Sequence, residues 1–358
     1  MKTARRVVKE EVFPLKNHRK ILATVASIAA IASLTACGGV KDDNNTASGS
    51  AITIGTTDKI TSVDPAGSYD NGSYAVQIQI FPFLYAQDYN TSELSPDIAA
   101  DDGTWNDDGT EFTVKIKEGL KFANGHDLTA SDVKFSYDRI KTINDANGPS
   151  SLLANVESVE APDDTTVVFK DSVPFDVTLK QVMSSPAGPI VDEEVFDADK
   201  LTDADTIVKG NAFAGPYKLT AFKMNETASY EKNDSYKGLT PAKNDAIQVK
   251  YFADASNLKL NVQQGQIDVA FRSLTPTDIE DLSKDSKVKV VKGPGGEERF
   301  LTFNFKIQPY GESQSDADAN KAKAVRQAVA NLIDRDELSK KVYKGTYTPM
   351  YSFIPDGL

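Results

Sequence analysis

Apolar positions along the chain change period several times, and each change predicts an element. Ile52 and Ile54 alternate with polar neighbours as a short strand, which dissolves into a loop around Asp64, Pro65 and Gly67. The run "YAVQIQIFPFLYA" (74–86) is apolar enough to suit helix or strand, and Pro82 ends whichever forms. After an Asp108–Gly109 turn, Phe112, Val114 and Ile116 alternate as a half-buried strand, and Gly119 and Gly125 break the chain behind it. The period then becomes helical. Val133, Tyr137 and Ile140 fall on one face of residues 130–142, and Thr129 with Asp132 has the spacing of a capping box.

Further on, "TTVVFK" (165–170) and "IQVKYF" (247–252) read as strands. Residues 214–238 read as a Gly-Pro turn and a hairpin in which Tyr217, Leu219, Phe222 and Tyr230 alternate imperfectly. A helix is predicted over 255–264, stopped by Gly265 and followed by the strand "IDVAF". Thr275, Pro276 and Asp278 supply the cap, first-turn proline and first-turn acid of another helix. Over 321–345, Val325, Val329, Leu332 and Ile333 share a face; Asp334 and Glu337 then restart a helix that closes with Lys340, Lys341, Lys344 and Gly345. Strands and helices interspersed without a strict βαβ rhythm predict a mixed α/β architecture of several domains.

The N-terminus follows a different pattern. Lys16, Arg19 and Lys20 lead into the uncharged stretch Ile21–Ala36, the layout of a secretory signal peptide. It is too short and too rich in Ala, Ser and Thr for a membrane span, which needs ~20 apolar residues. The single cysteine, Cys37, follows Leu34, Thr35 and Ala36, an order that resembles the bacterial lipobox. By that resemblance residues 1–36 are cleaved off, and Cys37 becomes the first residue and carries a diacylglyceryl group. Each buried CH₂ contributes ~0.8 kcal/mol, so a doubly acylated terminus holds the protein outside the cytoplasm at the cell membrane. Residues 37–51 are polar, Gly- and Ser-bearing and unpatterned, which predicts a flexible tether ahead of a fold that begins near Ile52.

Composition narrows the function. A content of 40% hydrophobic and 26% charged residues is that of a globular protein. After Cys37 there remain 33 basic and 50 acidic residues, a formal charge of −17 that repels nucleic acid and anionic lipid. One cysteine permits no intramolecular disulfide. His126, in the turn "NGHD", is the only histidine beyond the leader, a poor basis for a metal site or a Ser/His/Asp triad. "GPGGEERF" (293–300) lacks the Lys-Ser or Lys-Thr ending of a phosphate loop and reads as a turn. Asp101, Asp102, Asp107 and Asp108 miss the spacing of a calcium loop. Neither an enzyme, a cofactor nor a metal is expected.

The stretch "FTVKIKEGLKFANGHDLTASDVKFSYDRI" resembles the signature of the peptide-type, family 5 extracellular solute-binding proteins of ABC importers. "SVDPAGSYD", "GPYKLTAF" with "YEKNDSYKG", "LNVQQGQIDVAF", and "LTFNFKIQPY" with "KAVRQAVANLIDRDELSKKVYKG" agree in the same order. The resemblance implies an α/β, periplasmic-binding-protein-like (type II, cluster C) bilobal fold. A first lobe would comprise residues 52–80 and 206–268, with an inserted subdomain over 81–205 and a second lobe from 269 to 358. Members of the family continue past the "IPDG" region, so the resemblance makes the second lobe incomplete. It further implies a monomer that captures peptides in the cleft between lobes, closes by hinge motion and delivers its cargo to a membrane permease. Tyr69, Asp70 and Asn71 match the loop that such proteins lay against the peptide backbone, and Arg272, Ser273, Arg299 and Phe300 face the cleft. Thr129, Asp132, Val133, Tyr137 and Arg139 are assigned to capping and packing. The alternatives are the same fold binding a nickel complex, haem or oligosaccharide, an exported hydrolase, or a truncated chain without function. The single tryptophan, Trp105, and the lone histidine give sugar and metal little support.

Overall fold

The computed structural model describes residues 51–353 other than 88–92, 294 and 296. The leader, Cys37 and the tether up to residue 50 lie outside the described residues. The first part of the chain runs β1 (Ile52–Thr56), α1 (Asn71–Ile80), β2 (Tyr85–Gln87), β3 (Leu94–Pro96), β4 (Thr104–Trp105), β5 (Glu111–Lys115), β6 (Leu120–Lys121), β7 (Asp127–Leu128) and α2 (Ala130–Ile143). It continues through β8 (Val156–Asp163), β9 (Thr166–Asp171), α3 (Leu179–Met183), α4 (Ala204–Gly210), β10 (Tyr217–Lys223) and β11 (Thr227–Lys232). Last come β12 (Ala246–Tyr251), α5 (Ala255–Gln263), β13 (Val269–Ala270), α6 (Pro276–Leu282) and α7 (Ala319–Leu332).

Local chemistry explains most of these boundaries. The apolar run at 74–86 divides between both readings. Asp70 caps α1 by accepting from the Ser73 amide, and the helix closes where the Phe81 amide donates to Gln77. Pro82 follows at once, and β2 begins beyond it. At α2 the capping box forms as predicted, and Val133, Tyr137 and Ile140 are all buried. The hairpin β10–β11 shifts register between Leu219 and Ala221, which is why its alternation reads imperfectly in the sequence.

Two sheets organise the core. The four-stranded sheet has the order β4-β5-β9-β8 and is antiparallel throughout. It buries Phe112, Val114, Val167 and Phe169 against α2, where the Tyr137 and Phe169 rings meet edge to face with centroids 5.0 Å apart. The five-stranded sheet has the order β10-β11-β12-β1-β13. Its apolar partners include Ile80, Phe81, Phe213, Leu219 and Tyr230, together with Val191 and Phe196 from the segment before α4.

Beyond α6 the packing changes. Residues 283–318, where described, form only turns and irregular backbone. The shared face of α7 is not buried as its pattern suggests: Ala322 is the helix's one buried residue, and Leu332 is 84% exposed. Asp334 does restart the helix, accepting from the Glu337 amide, but only as one turn followed by a wider turn over Leu338–Val342.

Candidate functional site

β1 is the pivot of the five-stranded sheet, because it pairs in parallel with β12 on one side and β13 on the other. The chain leaves β12, runs through α5 and returns as β13 across β1. All three strands therefore release their carboxyl ends at one edge. There the Phe252 amide donates to the Thr56 carbonyl and the Phe271 amide to the Gly55 carbonyl, each at 2.8 Å. Gly55 allows this convergence, since a Cβ there would fall 2.6–2.8 Å from the side chains of Ile267, Leu258 and Phe252. In open α/β sheets, ligands bind outside the carboxyl ends of the strands where the connections diverge. The β1–α1 connection and residues 271–274 form that rim.

The rim is fixed from below by a buried ion pair. Asp64 is fully buried and takes both Arg139 guanidinium nitrogens, Nη1 at 2.7 Å and Nη2 at 2.6 Å. It also accepts from the Ala66 amide at 3.0 Å and the Thr202 amide at 2.7 Å, so its oxygens are saturated. Arg139 reaches on to the carbonyls of Asp197 and Lys200. The Arg of the signature stretch thus clamps the Asp of "SVDPAGSYD", two motifs that the sequence separates by 75 positions. Nearby, Gly72 lies so close to the Lys59 carbonyl that any Cβ would overlap it.

The predicted site residues fall into two groups. In the first, Asp70 is occupied by its own helix: it accepts from Ser73 N and Ser73 Oγ, each at 2.8 Å, and from Thr61 Oγ1. Tyr69 is 52% exposed beside it, and the exposed Asn71 side chain makes no hydrogen bond among the described residues. In the second, Arg272 and Ser273 follow β13 in consecutive left-handed conformations, φ 59° and 61°. Such backbone is costly for residues with side chains and collects where binding demands it. Arg272 pairs with Glu297 at 3.5 Å, Glu297 pairs also with Arg299, and Arg299 donates to the Tyr347 hydroxyl at 3.4 Å. Phe300 is 74% exposed. No hydrogen bond or ion pair among the described residues joins Tyr69, Asp70 or Asn71 to the second group.

The sequence motifs did not single out Glu297, which pairs with both arginines, or Tyr347, which accepts from Arg299 alone. The charge run in "GEERF" was the available signal for Glu297. His126 belongs to the scaffold: its Nδ1 lies 2.8 Å from the buried Asp192, to which Asn124 also donates. That hydrogen bond raises the His126 pKa above its usual value. Burial pushes the Asp132 carboxyl up to about 6, against backbone hydrogen bonds from Thr129 and Glu193.

A mixed sheet with a central parallel triplet, an antiparallel sheet beside it and a rim at the carboxyl edge define a periplasmic-binding-protein fold. The chain belongs to the bacterial extracellular solute-binding proteins, family 5, whose middle region matches residues 93–358. It is 26% identical over 311 residues to the probable D,D-dipeptide-binding periplasmic protein DdpA of Escherichia coli K12, covering 86% of this chain and 57% of that protein. It is 27% identical over 341 residues to the dipeptide-binding protein DppE of Bacillus subtilis 168, covering 89% of this chain and 58% of that one. The chain therefore spans a little over half the length of these curated relatives. Among solved structures it superposes on DppA of Helicobacter pylori in complex with the peptide STSA, with TM-score 0.69 and 21% identity over 86% of this chain and 61% of that one. NikZ of Campylobacter jejuni in complex with Ni(L-His) gives TM-score 0.68 and 20% identity over 82% and 55% of the two chains. No helix among the described residues is long and apolar enough to cross a membrane.

Proposed function

We propose that this protein is the substrate-binding receptor of an ABC importer, that it takes short peptides, and that it holds them at the carboxyl edge of β12, β1 and β13. The observation that carries this reading is the convergence of three parallel strand ends on one rim, with the exposed Tyr69 on one connection and the left-handed pair Arg272–Ser273 on another. Peptide is favoured over other cargo because the relatives above are dipeptide-binding by name and the Helicobacter pylori neighbour holds a peptide.

The chemistry is capture without turnover. Extended peptides are held chiefly by main-chain hydrogen bonds, with water filling the side-chain pockets, so selectivity for sequence is low. Arg272 is suited to a ligand carboxylate. Its present partner, Glu297, is partly exposed and 3.5 Å away, and such pairs contribute ~0–1 kcal/mol, so a well-aligned carboxylate displaces it. Tyr69 offers a ring face to the peptide. The first lobe is residues 52–80 with 206–268 together with β13, which pairs with β1, and the second is the chain beyond β13; hinge closure between them presents the loaded form to the permease. Cys37 carries the lipid that keeps the receptor at the membrane.

Isothermal titration with a pool of di- to tetrapeptides tests the binding site. Saturable heat that weakens by about tenfold in Tyr69→Ala and in Arg272→Ala is expected, a loss of ~1.4 kcal/mol. Heat unchanged by both substitutions would remove the rim from the account. Labelling cells with a fatty acid tests the anchor: incorporation should disappear in Cys37→Ala.

A further inference from the structure

Just past the rim segment 271–274, α6 and two later stretches of chain enclose a pocket of about 240 Å³, lined among others by Pro276, Ile279, Glu280, Lys284, Lys292 and Lys344. Its charge runs against that of the molecule. The chain has 52 acidic and 40 basic residues, yet three of the four ionisable side chains lining this pocket are lysines. Glu280 is shared between two of them, with Oε2 3.0 Å from Lys344 Nζ and Oε1 3.7 Å from Lys284 Nζ. The hydrogen bond from Lys344 and the charge of Lys284 hold the Glu280 carboxyl below its usual range. One carboxylate cannot balance two ammonium groups, so the trio keeps a net positive charge. Lys292 adds to it: the residue is exposed, and no hydrogen bond or ion pair among the described residues engages it.

The pocket is held in place on both sides. Thr275 and Asp278 form a capping box at the start of α6, and Lys259 of α5 pairs with Asp278 at 3.1 Å and Asp281 at 2.9 Å. Opposite, the Gly345 amide donates to the Ser339 carbonyl at 3.0 Å, and Ser339 Oγ donates to the Tyr347 carbonyl at 2.5 Å. The Ser283 and Thr346 hydroxyls, also in the lining, donate to the carbonyls of Ile279 at 2.7 Å and Tyr343 at 2.6 Å. The ammonium groups are therefore the donors left for an occupant.

We propose that this pocket takes the acidic side chain, Asp or Glu, of a captured peptide; the proposal rests on the peptide-binding reading above. The excess of ammonium groups selects a carboxylate, and Pro276 and Ile279 suit its methylene stem. The rim is within reach. Pro276 is four residues from Arg272, about 14 Å at full extension, and Thr346 adjoins Tyr347, which accepts from Arg299. An extended ligand advances about 3.3 Å per residue, so one held at Arg272 covers that distance with roughly two or three residues and a side chain. The pocket thus adds a preference for acidic peptides to main-chain contacts that read no sequence.

Isothermal titration of the full chain compares the peptide Ala-Glu-Ala with Ala-Gln-Ala, which has the same shape without the charge. The acidic peptide should bind about tenfold more tightly, with a preference that shrinks as salt rises and falls to about threefold or less in Lys292→Gln. Exposure of Lys292 keeps that variant folded, which its melting temperature checks. Arg272→Ala should weaken both peptides and leave their ratio intact; collapse of the ratio there would put the acid on the rim arginine and overturn the proposal. Inorganic phosphate titrated alone should give no saturable heat, and saturable heat lost in Lys292→Gln would make the occupant a free oxyanion instead. Equal binding of the two peptides, or a preference that survives in Lys292→Gln, would overturn the pocket and leave peptide capture standing. Absence of binding by either peptide would overturn the receptor reading as well.

Discussion

Two helices of this chain have the same length and similar patterning but different surroundings. α2 and α7 each span 14 residues, and each starts at a side-chain cap, Thr129 or Asp318. α2 buries Val133, Tyr137 and Ile140 against β8 and β9, whereas α7 buries only Ala322. The neighbours of α7 are polar or exposed: Gln308 bonds Arg326 at 3.0 Å, and Arg326 stands 4.5 Å over a Phe305 ring that is itself 57% exposed. Burying a Val, Leu or Phe side chain contributes ~1.5–3 kcal/mol. α2 therefore gains several such contributions and α7 almost none. Periodicity specifies a helix and its apolar face; a covering sheet turns that face into stability.

The comparison breaks most easily at Arg139. Arg139→Ala leaves Asp64 buried without its charge partner and should destabilise by ~3–5 kcal/mol in urea unfolding, also loosening the rim. A loss below ~1 kcal/mol would mean that the clamp is not what holds the β1–α1 connection. Next comes Ile140→Ala in the buried face of α2, expected to cost ~2–4 kcal/mol by transfer and cavity together.

A pH series sharpens the contrast by a smaller amount. Asp132 has its pKa raised by burial from 3.8 to about 6, so the fold prefers its protonated form. Its contribution is complete below pH 3.8 and lost as pH rises towards 6. His126 is raised above 6.5 by its hydrogen bond to Asp192, so its contribution is complete below 6.5 and lost above, as pH passes its folded value. The melting temperature should therefore fall with rising pH across both windows. Asp132→Asn should flatten the lower slope and His126→Gln the upper. A wild-type curve already flat in both windows would sink this reading. The smallest effect belongs to α7, where Leu332→Ala should change stability by less than ~0.5 kcal/mol.

Legibility in the sequence followed the range of the forces. The Thr129–Asp132 capping box, the Gly265 stop and the strand at Phe112–Val114 depend on neighbours a few residues away, and all appeared as read. The position of β1 between β12 and β13 depends on pairing across roughly 200 residues on either side, to which alternation is blind. Asp64 and Arg139 each lay in a quoted motif, yet nothing local announced their contact. The left-handed backbone at Arg272, Ser273 and Phe175 was invisible because none of them is glycine, the residue that normally signals it. Tyr69–Asn71 could be singled out as a loop, but only the structure separates Asp70, occupied as a cap, from the exposed Tyr69.

The most direct test of a packed scaffold carrying a ligand rim is hydrogen exchange resolved along the chain, with and without short peptides. The account predicts slowest exchange in β5, β9 and α2, fast exchange over residues 283–353, and slowing by peptide concentrated at residues 57–70 and 271–274. Protection of α7 equal to that of α2, or peptide that leaves both rim segments unchanged, would contradict it.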